Sequence, residues 1–226
     1  MSAQKIKRTA AAMAFLVALG LCNTSAAASM SGRGHRFNDT PQPSQRHAAS
    51  QVERLRRIVV PLIRATDHPA RMNELRIRIV ENGSVNAGSA GGGQFMVTTA
   101  LLERANDEQL RGVLAHEIAH DDLGHASKLQ LLTAGLGIGA ALLEQVFPGS
   151  GALAPLAGNL IVGNYTRPQE LEADRHAVTI LRRAGYSKNV MIGTLNWIMQ
   201  VEGNSGGGFL STHPATNERI QALRRL

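Results

Sequence analysis

Asn106-Asp107-Glu108-Gln109-Leu110-Arg111-Gly112-Val113-Leu114-Ala115-His116-Glu117-Ile118-Ala119-His120 is the stretch on which the fold turns. Asn106 can cap a helix, and Gln109, three residues on, can return the hydrogen bond in a capping box. Leu110, Val113, Leu114 and Ile118 then recur at helical spacing. The pattern predicts a helix with His116 and His120 one turn apart on one face, where both imidazoles can reach a single metal ion. Glu117 projects beside them and can take a proton from a water that the metal activates. Ala115 and Ala119 keep the turn sterically open.

A hydrolytic zinc site wants three protein ligands and one open position. His125 is the nearest extra imidazole, but on a continuing helix it lies half a revolution from His116. A metzincin continuation, His-x-x-Gly-x-x-His, also fails, because position 123 is Leu and position 126 is Ala. His125 therefore reads as a helix-terminal histidine near the negative end of the dipole. The remaining acids point to Arg167-Pro168-Gln169-Glu170-Leu171-Glu172-Ala173-Asp174. Glu170 and Asp174, at i and i+4, share a helix face. One carboxylate can ligate the metal while the other orients a ligating imidazole through its free ring N–H. Glu172 is about 200° around that helix from Glu170 and is expected in solvent.

Working outward, Val52, Leu55, Ile58, Val59 and Leu62 predict an amphipathic helix from Gln51. Leu75 to Val80 alternates apolar and charged residues, as a strand with one wet face does. Gly91 to Thr99 reads as a second strand entered through a glycine run. Leu129 to Leu143 is uncharged and Gly-containing, which suits a buried core helix or else a mobile apolar flap near the cleft. Helical patterns follow at Gln169–Ala184, Ser187–Val201 and Pro214–Leu226.

The N-terminus has a different character. Lys5, Lys7 and Arg8 precede an apolar run from Ala10 to Leu21 and then small residues to Ala28. Residues 1–28 are expected to be a signal peptide, and the run is too short to span a bilayer. Cys22, the only cysteine, is either removed with that leader or is a lipid-acylation site on an outer-membrane lipoprotein. Residues 29–45, rich in Ser, Gly, Pro, Asn and Gln, read as a flexible spacer, and 46–226 as one domain. The formal charge of +7 leaves +4 outside the leader, scattered over residues such as Arg54, Arg56, Arg57, Arg182 and Arg183. We read it as solubility, and export argues against nucleic acid as a partner.

His-Glu-Ile-Ala-His, then Arg-Pro-Gln-Glu-Leu-Glu-Ala-Asp, then Ser-Thr-His-Pro-Ala-Thr-Asn-Glu-Arg-Ile resembles the HtpX-like zinc metallopeptidases. That gluzincin family includes CAAX-prenyl endopeptidases and periplasmic quality-control proteases. The resemblance runs from about Arg76 to Leu226. It implies that Glu170 is the third zinc ligand, that Asp174 orients a ligand, and that His213 and Arg219 match the family's His-Pro and following Arg. His213 would steady an oxyanion or occupy the metal's open position and hold the enzyme latent. Arg219 would brace the carboxylates. Asn86-Ala87 and Gly91-Gly92-Gly93 resemble elements whose following strand borders the cleft, so Gly93, Gln94, Phe95, Met96 and Val97 are expected to pair with substrate as an added strand. Gly88 stands where a bulky aromatic is common.

These readings combine into a mostly helical α+β zincin with a small sheet and one Zn2+ per chain. The expected activity is endopeptidase hydrolysis of misfolded or unassembled envelope proteins in the periplasm, with peripheral or lipid-anchored membrane association. Two other classes stay open. One is a chaperone or assembly factor with latent proteolysis; the other is a metal hydrolase acting on a non-peptide envelope substrate, which the 4% aromatic content does not support.

Overall fold

In the computed structural model, which describes residues 43–128, 165–203, 208–214 and 217–226, one helix passes through the middle of the structure. This helix, α3 (Asp107–Asp122), is buried from Leu110 to His120 except at Arg111. It is surrounded by α1 (Pro43–Ile63), β2 (Ala87–Gly91), α4 (Arg167–Arg183) and α5 (Asn189–Glu202). Leu110, Val113, Leu114 and Ile118 are each at most 1% exposed. At about 1.5–3 kcal/mol for each such side chain, burial outweighs intrinsic helix propensity in holding α3. The capping box forms: Gln109 N–H donates to Asn106 Oδ1 and Asn106 N–H to Gln109 Oε1, both at 2.9 Å. Gly112 lets α3 approach α5 closely, since a Cβ there would lie 2.0 Å from Thr194 Oγ1.

The sheet has three strands, β1 (Arg76–Val80), β2 and β3 (Gln94–Thr98), in the order β1-β3-β2. β1 runs parallel to β3, from Arg76↔Gln94 to Val80↔Thr98, and β2 runs antiparallel to it, with Ala87 opposite Val97. The strand expected over Gly91–Thr99 is therefore two pieces. Gly91 ends β2, which the sequence did not reveal, and Gly92-Gly93 turn the chain into β3. Gly93 sits at φ +79, a conformation that favours glycine, and its N–H donates to Asp121 Oδ2 at 2.9 Å. That bond ties the hairpin to α3 one residue beyond His120.

After β3, Thr98 caps α2 (Thr99–Arg104) by accepting from Leu101 N–H. Arg54 then clamps the α2–α3 junction. Its guanidinium donates to Leu102 O, Ala105 O and Asp107 Oδ1, each at 2.6 Å. This residue, read from sequence as part of a solubilising charge, joins three helices.

Several boundaries differ from expectation. α1 begins at Pro43, so its first residues fall within the expected spacer. α4 begins two residues earlier than predicted, with Gln169 Oε1 accepting from Thr166 N–H and Pro168 tolerated in the first turn. The expected helix Pro214–Leu226 is found as the shorter α7 (Asn217–Arg224), preceded by a one-turn helix, α6 (Phe209–Thr212), with His213 and Pro214 between them. The expected leader with Cys22, spacer residues 29–42 and the Leu129–Leu143 segment lie outside the described residues. Among the described residues no helix is long and apolar enough to cross a membrane.

Candidate metal centre

Four elements converge on one buried cluster. α3 contributes His116, Glu117 and His120, α4 contributes Glu170 and Asp174, the α6–α7 connection contributes His213, and α7 contributes Arg219. None of the seven is more than 2% exposed.

The ligand atoms face one another. His116 Nε2 lies 3.1 Å from His120 Nε2 and 3.3 Å from Glu170 Oε2, and His120 Nε2 lies 3.3 Å from Glu170 Oε1. His213 Nδ1 lies 3.0 Å from Glu170 Oε1 and 3.3 Å from His116 Nε2. His116, His120, Glu170 and His213 thus form a four-donor group able to hold a metal ion. The Glu117 carboxylate also points inward: its Oε1 meets His213 Nε2 at 3.3 Å, and its Oε2 has no hydrogen-bond partner among the described residues. Buried polar atoms left so are costly unless something answers them. A divalent cation and a water fit that need.

The surroundings fix the donors. His116 Nδ1 lies 3.1 Å from Asp174 Oδ1, somewhat off the ideal hydrogen-bond line. Arg219 donates Nε and Nη2 to the two oxygens of Asp174, each at 2.7 Å, and Nη1 lies 2.5 Å from Glu170 Oε2. Nη1 also donates to Pro214 O at 3.0 Å, which holds the connection carrying His213. Phe209 stacks on His213 with ring centroids 4.4 Å apart, and Tyr165 stacks on His120 at 3.8 Å. Glu202, at the end of α5, accepts from Phe209 N–H at 2.8 Å and Leu210 N–H at 2.9 Å, anchoring α6.

Electrostatics follow from burial and pairing. Burial alone would push the His116 imidazole down, but the Glu170 charge and the contacts with Asp174 and Glu170 outweigh it and raise it to about 9. Burial, with help from His116 and His213, holds His120 well below its ordinary value. Burial opposes ionisation of Glu170, yet the charges of His213 and His116 hold its carboxyl far below the usual range. Asp174, also opposed by burial, is brought to about 2 by the Arg219 fork.

Two expectations need correction. Gly93, Gln94, Phe95, Met96 and Val97 cannot offer an edge to substrate. Gly93 lies in the turn, and Gln94–Val97 belong to the central strand, already paired with β1 and β2. His125 does not lie at the negative end of a continuing α3. α3 stops at Asp122, Gly124 turns the chain at φ +68, and His125 folds back, 3% exposed, with its Nδ1 3.0 Å from His120 Nδ1. Glu172, half exposed as expected of an outer face, nonetheless reaches His125 Nε2 at 3.3 Å. The signal in the sequence was Gly124, which ends the helix on which the angular argument relied.

Comparison with known proteins agrees with this geometry. A family model described as Peptidase family M48 matches residues 49–226. The chain is 25% identical over 189 residues to Metalloprotease YcaL of Escherichia coli (strain K12), covering 80% of this chain and 73% of that protein. It is 26% identical over 147 residues to Metalloprotease LoiP of the same organism, covering 62% and 58%. It is 29% identical over 161 residues to the Beta-barrel assembly-enhancing protease, also from that organism, covering 65% of this chain and 33% of that protein.

Proposed function

The chain belongs to peptidase family M48 and is a metallopeptidase, and on that premise we propose that it is a zinc endopeptidase acting on misfolded or unassembled proteins of the cell envelope. The observation that carries the reading is the meeting of His116, His120 and Glu170 beside the buried carboxylate of Glu117. Two imidazoles and one carboxylate make a hydrolytic zinc donor set. Tetrahedral zinc with bonds of about 2.0–2.1 Å spaces its donors about 3.3 Å apart. The spacings among these three residues are 3.1–3.3 Å. We assign one ion per chain to this cluster.

A bound zinc supplies Lewis acidity toward a carbonyl oxygen and lowers the pKa of a water. The chain's own groups do the rest. Glu117 removes the proton of the attacking water and returns it to the leaving amine. His213 steadies the oxyanion, Asp174 orients His116, and Arg219 holds Asp174 and Glu170 in place. The expected leader at residues 1–28 and the similarity to a beta-barrel assembly-enhancing protease support an exported, periplasmic setting. Peripheral or Cys22-anchored membrane association, and the lack of a nucleic-acid partner, belong to the same proposal.

The deciding comparison is purified wild type against Glu117→Gln on unfolded casein, with and without chelator. Cleavage is expected only from wild type holding metal; equal cleavage by both proteins overturns the mechanism.

One observation favours a second reading, an assembly factor whose peptidase is latent. His213 Nδ1 lies inside the donor set, 3.3 Å from His116 Nε2, where it fills the position that hydrolysis needs for solvent. On that reading Glu117→Gln leaves the cellular function intact.

A further inference from the structure

We infer that His125 and Glu172 form a proton-ordered relay that sets the tautomer of His120, so that His120 Nε2 presents a lone pair to the metal. His125 is thus a positioning residue. The inference rests on the zinc reading above, but its geometry stands in the chain itself.

Two ring nitrogens 3.0 Å apart, His120 Nδ1 and His125 Nδ1, must share one proton, because one of them has to donate and the other accept. With His120 as donor, its Nε2 is bare and faces His116 and Glu170. His125 Nδ1 then accepts, its own proton sits on Nε2, and that N–H faces Glu172 Oε2 at 3.3 Å. Every donor meets an acceptor. Reversing the chain puts a proton on His120 Nε2, where Glu170 Oε1 at 3.3 Å can accept it but no lone pair is left for a metal, and it turns the bare Nε2 of His125 toward the Glu172 carboxylate.

The enclosure makes the assignment consequential. His125 is 3% exposed, and Tyr165 stacks on the face of His120, so solvent does not replace the lost partner cheaply. The two α3 ligands are also oriented differently. His116 meets a buried carboxylate directly, whereas His120 meets a neutral imidazole that passes the interaction to Glu172, whose side chain is 54% exposed. Partners of this outer kind typically alter metal affinity by about 10–100-fold when removed.

The test uses the full chain as wild type, His125→Phe and His125→Asn. Phenylalanine keeps the ring and loses the acceptor; asparagine keeps an acceptor oxygen near the position of Nδ1. Zinc affinity is read by chelator competition, and ring protonation by 15N–1H spectra of the histidines in the zinc-free protein. His125→Phe is expected to weaken zinc about 10–100-fold and to lose the Nδ1–H signal of His120, while His125→Asn recovers most of both. Unchanged zinc affinity in His125→Phe overturns the relay, as does equal loss in both variants. If wild type takes up no stoichiometric zinc, the proposed function falls. The relay is then decided by the spectra alone: a proton on His120 Nδ1 supports it and one on Nε2 overturns it.

Discussion

Arg219 and Asp174 meet through two parallel hydrogen bonds of 2.7 Å, and this fork joins α7 to the helix that carries Glu170. Both residues are 1% exposed. Removing one partner of such a pair strands a buried charge and typically costs about 3–5 kcal/mol. Arg219→Met is expected to show a loss of that size in chemical denaturation without metal. Saturating zinc should reduce the loss, because the ion partly balances Glu170. An equal loss with and without zinc contradicts that coupling.

The pH dependence of metal uptake follows from His116. Its imidazole titrates at about 9 in the metal-free protein, so it carries a proton at pH 7. A ligating imidazole must be neutral, so metal binding expels that proton. Below about 9, apparent affinity should rise about tenfold per pH unit for this one group, and level off above it. Calorimetry in buffers of different ionisation enthalpy should report about one proton released from His116 at neutral pH. Affinity that is flat between pH 6 and 8 removes this account.

Gly112→Ala tests the contact between α3 and α5. Alanine favours a helix interior, yet here its Cβ would meet Thr194 Oγ1 at 2.0 Å. Overpacking should dominate, for a net loss of about 1–3 kcal/mol. Thr194→Ser in the same chain removes one methyl and should not restore stability, whereas Thr194→Ala should recover part of it. Thermal denaturation of the three variants separates these outcomes.

Arg54→Lys keeps the charge but cannot serve Leu102 O, Ala105 O and Asp107 together. The expected effect is a loss of about 1–3 kcal/mol, within the range for hydrogen bonds from a charged donor. Arg56→Lys, on an exposed side chain, is the control and should be neutral within about 0.5 kcal/mol. Equal unfolding midpoints for the two variants would return Arg54 to a solubilising role.

The parts of this fold that could be read from sequence are those set by local periodicity. The Asn106–Gln109 box, the i, i+4 histidines and the i, i+4 pair Glu170 and Asp174 all act within one or two turns of helix. β2 was hidden because Ala87-Gly88-Ser89-Ala90-Gly91 has little strand propensity and is a strand through its pairing with β3. The interior place of β3 was equally hidden, since it depends on a parallel partner, β1, fourteen or more residues away. His125 was misplaced because a rotation angle applies only while the helix lasts, and Gly124 ends it. Arg54 looked like one cation among many, for nothing in its neighbourhood of sequence records the carbonyls it reaches about fifty residues on.

The Arg219 fork also bears on how the molecule comes into being. Synthesis delivers α3 first, α4 some forty-five residues later, and the counter-cation only with α7. Until that cation arrives, Glu170 and Asp174 have no guanidinium to offset the cost of leaving water. The carboxylates of the site therefore gain their counter-charge only when α7, which also brings Ile220 and Leu223 to the core, docks on α4. Assembly of the hydrolytic cluster is thus tied to the docking of α7 and not to the histidine-bearing helix alone.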